Sequence, residues 1–281
     1  MNKWINKRSI ILLLLQIFGL FAPLAYANKL VIVIDDIGYR IKEDNAIYAL
    51  PKEVNVAIIP SAPYATVRAN KAKEQGREIL IHLPMQPKVK QPIEAGALLV
   101  GMEESEVSEL IHQAQQQVPY AIALNNHMGS KATADKTTMQ HLMKALSQQG
   151  LGFLDSKTAG DSVAYQTAKA YGLNALERHI FLDNSDVFAD VQRQFQHAVQ
   201  YARKHGIAIM IGHPRKHSIA VLEQGIANLP ADIQLASLSS LWKTENVEPV
   251  KPFIMLFEIE PALTSKAPYR AVPLLRGIPQ E

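Results

Sequence analysis

The chain has 281 residues, 29 Lys and Arg against 26 Asp and Glu, a net charge of +3 and no Cys, so disulfides and a lipid-modified cysteine anchor are excluded. The positive excess lies at the very start, in Lys3, Lys7 and Arg8; without residues 1–27 the charge falls to zero, which leaves no electrostatic footprint for nucleic acid. The remaining ~254 residues suffice for one large α/β domain.

Residues 1–27 have the form of an export signal. After the basic start comes an apolar run from Ile10 to Leu20, interrupted only by Gln16 and Gly19, and then the small-x-small triplet Ala25-Tyr26-Ala27. Cleavage is expected after Ala27, with a periplasmic or secreted destination. The run is shorter than the ~20 residues that span a bilayer, so no stable membrane insertion is expected after cleavage.

From Leu30 onward, short apolar runs of strand character alternate with helical patterns. Residues 31–34, 79–81, 121–124, 152–154, 180–182 and 207–212 are the runs; residues 61–75, 102–118, 135–149, 187–205 and 217–228 carry helical spacing. Glu103, Glu104 and Glu106 suit the start of the second helix, and Gly150 and Gly206 end the third and fourth. This order predicts an α/β fold, a parallel (β/α) barrel of about seven strands over residues 28–242. Residues 243–281 contain Pro249, Pro252, Pro261, Pro268, Pro273 and Pro279 and form a Pro-punctuated tail outside the pattern.

Each run leads directly into a polar or ionisable side chain: Asp35-Asp36, His82, Asn125-Asn126-His127, Asp155, Asp183 and His213. The carboxyl ends of parallel strands open on one face, so these residues are expected on one rim. Adjacent carboxylates repel unless a cation or donors share the site, which makes Asp35-Asp36 either a metal and base pair or a turn cap. Asp36, His82 and His127 together offer the mixed nitrogen and oxygen donors of a catalytic zinc or similar divalent site. His213 has the side chain suited to protonate a leaving group at neutral pH. Asp155 and Asp183 are candidates to orient it or to cap the helices that follow. His112, His141, His179, His197, His205 and His217 fall on helices or away from strand ends and are read as surface or packing residues.

These segments resemble the polysaccharide deacetylases of carbohydrate esterase family four. Val33-Ile34-Asp35-Asp36-Ile37-Gly38 looks like their Thr-Phe-Asp-Asp-Gly signature, residues 76–82 resemble the Gly-x-Glu-Ile-x-x-His segment, and residues 209–213 resemble the Leu-x-Leu-His motif. The divergent polysaccharide deacetylase branch is the best match, over roughly residues 30–242. The resemblance implies a deformed barrel of deacetylase type and removal of N-acetyl groups from amino sugars. It implies Asp35 as general base, Asp36 and His82 as metal ligands, His213 as general acid and Asp155 as the acidic fourth motif. Gln86 stands where the family has its second metal-motif His, so His127 is expected to replace that ligand. Asn125, Gln86 and Asp183 are expected to contact substrate.

Two readings follow. One is a zinc-dependent hydrolase of a carbon–nitrogen amide bond in an N-acetylated envelope polysaccharide or peptidoglycan fragment. The other, motivated by Gln86, is a catalytically silent barrel that binds a glycan or an envelope protein.

Overall fold

A computed structural model describes residues 28–244. The expected signal segment 1–27 and nearly all of the tail 243–281 lie outside the described residues. Nine strands form one sheet in the order β6-β5-β4-β3-β2-β1-β8-β7, with β9 added beside β1. They are β1 (Asn28–Ile37), β2 (Asn55–Ile58), β3 (Ile79–Met85), β4 (Ala123–Met128), β5 (Gly152–Asp155), β6 (Ala175–Glu177), β7 (Ile180–Phe181), β8 (Ile207–Gly212) and β9 (Ile233–Ala236). Every pairing between them is parallel. The sheet curls into a barrel whose ends, β6 and β7, do not pair with each other among the described residues. The count is therefore nine rather than about seven; β2, β6 and β9 are short strands of four, three and four residues.

Seven helices accompany the strands: α1 (Ile41–Ala49), α2 (Ala65–Glu74), α3 (Glu104–Gln117), α4 (Lys136–Gln148), α5 (Ala164–Ala170), α6 (Phe188–His205) and α7 (Lys216–Ala227). Helix α3 starts with a capping box, in which Glu103 and Glu106 satisfy each other's backbone N–H groups. Helix α4 is capped by Asp135, which accepts from Thr138 N at 2.8 Å. Helix α6 ends at Gly206 in the left-handed conformation. Helices α1 and α5 have no counterpart in the sequence reading.

Side-chain alternation divides the core into two. Leu30, Ile32 and Ile34 face outward and join the layer buried under the helices, with Val107, Ile111, Leu142, Val191 and Ala198. Val31, Val33, Leu80, Ala123, Leu154, Ile209 and Ile211 face inward and fill the barrel. The short 3-10 helix Leu238–Thr244 closes the amino-terminal end, where Leu238 N donates to Asn55 Oδ1 at 3.1 Å and Trp242 approaches Gly152.

The same alternation carries positions 35, 82, 125, 127 and 213 inward at the carboxyl end. Most of these residues lie inside strands rather than after them: Asp35 and Asp36 in β1, His82 in β3, Asn125 and His127 in β4. Pro84 is tolerated inside β3 because β2 pairs only as far as Ile81, leaving that flank of β3 without a partner strand. Gly129 follows β4 with φ +86°, and a Cβ there would lie 2.9 Å from Met85 Cβ. We expect Gly129→Ala to lower the unfolding free energy by about 1–3 kcal/mol, through backbone strain and overpacking beside His127. An unchanged urea midpoint would show that this turn does not hold the end of β4.

Candidate metal centre and acid–base site

A fault in one strand brings the two adjacent aspartates to the same side. Along β1 the pairing with β2 advances from Ile34↔Val56 to Ile37↔Ile58, so β1 carries one extra residue. Asp36 takes up that residue in the left-handed region, at φ 57°. In a regular strand Asp35 and Asp36 would face opposite sides; the bulge turns both into the mouth of the barrel. His82 Nε2 lies 3.5 Å from Asp35 Oδ2 and 3.3 Å from Asp36 Oδ1.

Three donor atoms close a triangle. Asp36 Oδ1 is 3.3 Å from His82 Nε2 and 3.1 Å from His127 Nδ1, and the two ring nitrogens are 3.1 Å apart. Asp36 Oδ1 is buried yet has no hydrogen bond of acceptable geometry. Both nitrogens therefore aim beside this oxygen rather than along a bond to it. A tetrahedral ion with bonds of about 2.0–2.1 Å separates neighbouring donors by about 3.3–3.4 Å, close to all three edges. Two imidazoles and one carboxylate, with their donor atoms this close together, are a set that suits a divalent cation such as zinc.

Behind the triangle a buried network fixes His82 and Asp35. Asn125, fully buried, accepts from His82 Nδ1 at 2.9 Å and donates to Asp35 Oδ1 at 2.8 Å and to Ser156 Oγ at 3.3 Å. The Nδ1 proton of His82 is thereby assigned, leaving Nε2 free to coordinate. Burial pushes the Asp35 carboxyl up, against the pull of His82 and His213. Burial also opposes charge on Asp36, but His127 and His82 beside it outweigh that and hold its carboxyl well below the usual range. Burial disfavours the His82 cation, yet Asp35 and Asp36 raise it to about 9.

On the other side stands His213, just after β8. Its Nδ1 meets Asp183 Oδ1 at 2.8 Å, and its Nε2 lies 3.8 Å from Asp36 Oδ2. Asp183 Oδ2 accepts from His213 N at 2.8 Å and from Ser218 Oγ at 2.7 Å, so the carboxylate grips both backbone and ring. Burial lowers the basicity of His213, but Asp183 reverses this and raises its pKa. Asp36, His127 and His213 face a cavity of about 500 Å³, also lined by Tyr39, Arg40, Glu94 and Arg215.

The structure thus brings together Asp35, Asp36, His82, His127, Asn125, His213 and Asp183. Four expectations need correction. Asn125 is fully buried with its polar atoms committed, so it positions His82 and Asp35 instead of touching substrate. Gln86 Oε1 accepts from Val100 N at 3.0 Å, so this side chain ties down the loop after β3. Asp155 stays apart, with its oxygens accepting from Lys157 N at 2.8 Å and Ser162 Oγ at 2.7 Å, the bonds of a local turn. Asp183 is buried behind His213, which gives it the orienting role rather than contact with substrate.

Glu94 was missed in the sequence. It stands in the loop between β3 and α3, and its Oε1 is 3.4 Å from His127 Nε2, an ion-pair distance without hydrogen-bond geometry, so that His127 Nε2 and Glu94 Oε2 are both buried without a hydrogen bond. A carboxylate at the far nitrogen of a metal-bound imidazole fixes its tautomer and raises its basicity. That loop lacks periodicity, so no pattern marks Glu94. We expect Glu94→Gln and Asn125→Ala each to weaken zinc binding about 10–100-fold, measured by competition with a chelating indicator. Wild-type affinity in both variants would remove the second layer from this account.

The sequence profile described as divergent polysaccharide deacetylase matches residues 32–242. An uncharacterized protein of Haemophilus influenzae is 56% identical over 263 residues, covering 93% of this chain and 94% of its own. The uncharacterized protein YibQ of Escherichia coli is 44% identical over 226 residues, covering 80% of this chain and 71% of its own. Among solved structures, the uncharacterized protein ATU2773 of Agrobacterium tumefaciens has a TM-score of 0.73 at 22% identity, over 76% of this chain and 89% of that one. A deacetylase solved with substrate has a TM-score of 0.52 at 10% identity, over 82% of this chain and 98% of that one. At these identities the two structures establish the shared fold alone.

Proposed function

We propose that this chain, which belongs to the divergent polysaccharide deacetylase family, is a metal-dependent hydrolase that removes acetyl groups from an N-acetylated envelope glycan or peptidoglycan fragment. The observation that carries the reading is the triangle of Asp36 Oδ1, His82 Nε2 and His127 Nδ1, flanked by Asp35 on one side and by His213 with Asp183 on the other. An envelope location rests on the leader-like sequence of residues 1–27. Among the described residues no helix is long and apolar enough to cross a membrane.

Asp36, His82 and His127 would hold the ion. A divalent cation in such a site polarises an amide carbonyl and makes water a stronger nucleophile at neutral pH. Asp35, its proton affinity raised by burial, accepts the proton of the attacking water. The water oxygen bonds to the acetyl carbon, and the carbon–nitrogen bond then breaks. His213, held through Nδ1 by Asp183, delivers a proton from Nε2 to the departing amine. Acetate and the free amino sugar are the products. Tyr39, 41% exposed at the cavity wall, offers an aromatic surface to a sugar ring.

The test is acetate release from N-acetylated peptidoglycan fragments by the mature chain with added Zn²⁺. Release should be abolished by a chelator and restored by metal. Asp36→Ala should lose it altogether, and His213→Ala should slow it about 10²–10⁴-fold. No release under any of these conditions would favour the silent, glycan-binding barrel, and release untouched by Asp36→Ala would remove the proposed metal chemistry.

A further inference from the structure

The cavity over the metal-ligand triangle has two guanidinium groups in its wall, and neither has a carboxylate partner. Elsewhere among the described residues the arginines are committed. Arg68 pairs with Asp44 at 3.1 Å, Arg203 with Asp232 at 2.7 Å, and Arg193 with Asp190. Arg77 donates to the carbonyls of Pro51, Val54, Tyr48 and Leu50, and Arg178 to those of Ser156 and Lys157. Arg40 is exposed; its carbonyl accepts from Asp44 N at 2.8 Å, and its guanidinium has no hydrogen bond or ion pair among the described residues. Arg215 makes one, from Nη1 to the carbonyl of Asp183 at 2.8 Å, which pins its guanidinium beside His213 and leaves its other donors open.

Backbone charge at the start of α7 has the same sign. Arg40 immediately precedes α1 and Arg215 immediately precedes α7, and neither helix start has a side-chain cap. The first turn of α7 has no acidic residue, so its amino-terminal N–H groups add positive potential beside Arg215, whereas Glu43 and Asp44 in the first turn of α1 offset that of the helix behind Arg40. The acidic residues of the cavity, Asp36 and Glu94, are those assigned to the metal and to His127. Both side chains are exposed at the cavity rim; Arg recognises carboxylate and phosphate through paired N–H donors, and such charge-assisted contacts are about twice as strong as neutral ones.

We infer that Arg40 and Arg215 form an anion subsite beside the metal-ligand triangle, so that the substrate is an N-acetylated sugar carrying a carboxylate or phosphate group. The acetamido end of this description rests on the deacetylase reading; the anionic end rests on the arginines. Because His213 and Arg215 are two residues apart and the Arg215 side chain is tied to Asp183, the anion lies on the leaving-group side of the scissile bond. Such a group helps hold the amino sugar in place while His213 protonates it.

Binding, measured by calorimetry on the chelator-treated mature chain at low salt, tests the subsite without turnover. The probes are N-acetylglucosamine, N-acetylmuramic acid and N-acetylglucosamine 6-phosphate, which are neutral, carboxylate-bearing and phosphate-bearing. At least one anionic sugar should bind about tenfold or more tightly than the neutral one, and which of the two does so identifies the anion. Arg40→Gln with Arg215→Gln should bring that ratio close to one, as should high salt. Arg215→Lys, which keeps the charge but not the paired donors, should retain only part of it. Equal binding of the three sugars, no measurable binding of any, or a preference kept in the double variant would overturn the subsite. These outcomes are separable from the deacetylase reading. A chain that prefers anionic sugars yet never releases acetate contradicts only the hydrolase, and one that releases acetate without any preference contradicts only the subsite.

Discussion

One extra residue in β1 sets the terms for everything at the mouth of the barrel. Without it, alternation would send Asp35 inward and Asp36 out toward the helices, into a layer of Leu, Ile and Val where a carboxylate has no partner. With Asp36 in the left-handed region, both carboxylates meet His82 within 3.5 Å. A non-glycine residue there costs on the order of 1–3 kcal/mol. Asp36 is one of four non-glycine residues in that region among the described residues, with Tyr120, Met128 and Lys157, and there the strain brings two carboxylates to one imidazole.

The same mouth holds a polar layer that a barrel built only for stability would not contain. Below it, Val31, Val33, Leu80, Ile209 and Ile211 pack as apolar contacts. Above them, Asp35, His82 and Asn125 are almost wholly buried and depend on one another for their hydrogen bonds. Buried charges of this kind contribute little to stability and are costly when half-satisfied. Their justification is geometric: each removes a degree of freedom from a ligand or a base. His213 follows the same logic, since Asp183 fixes its tautomer and raises its proton affinity at a single stroke.

Much of this was legible in the sequence because parallel strands buried on both faces read as unbroken apolar runs. Those runs marked the strands carrying Asp35, His82, His127 and His213, hence the rim on which Asp36, His82 and His127 come together. Three things were not legible. Strands β2, β6 and β9 did not stand out, although β5 and β7 are equally short and did, and β1, β3 and β4 continue through their polar residues, so the candidate residues lie within strands. Asp155 and Asp183 share one signature, an Asp closing an apolar run, and only the fold separates them: Asp183 reaches His213, whereas Asp155 accepts from its own turn. Glu94, Arg40 and Arg215 sit in loops or at helix starts, where no periodicity marks a residue as facing a cavity. Their roles depend on tertiary approach alone.

The central claim is that Asp36, His82 and His127 share one divalent ion, and anomalous diffraction at the zinc edge from crystals of the zinc-loaded mature chain tests it most directly. The account predicts a single strong peak at the barrel mouth, about 2.0–2.2 Å from Asp36 Oδ1, His82 Nε2 and His127 Nδ1. Zinc found elsewhere on the molecule, with the three side chains hydrogen-bonded to one another around no ion, would contradict it.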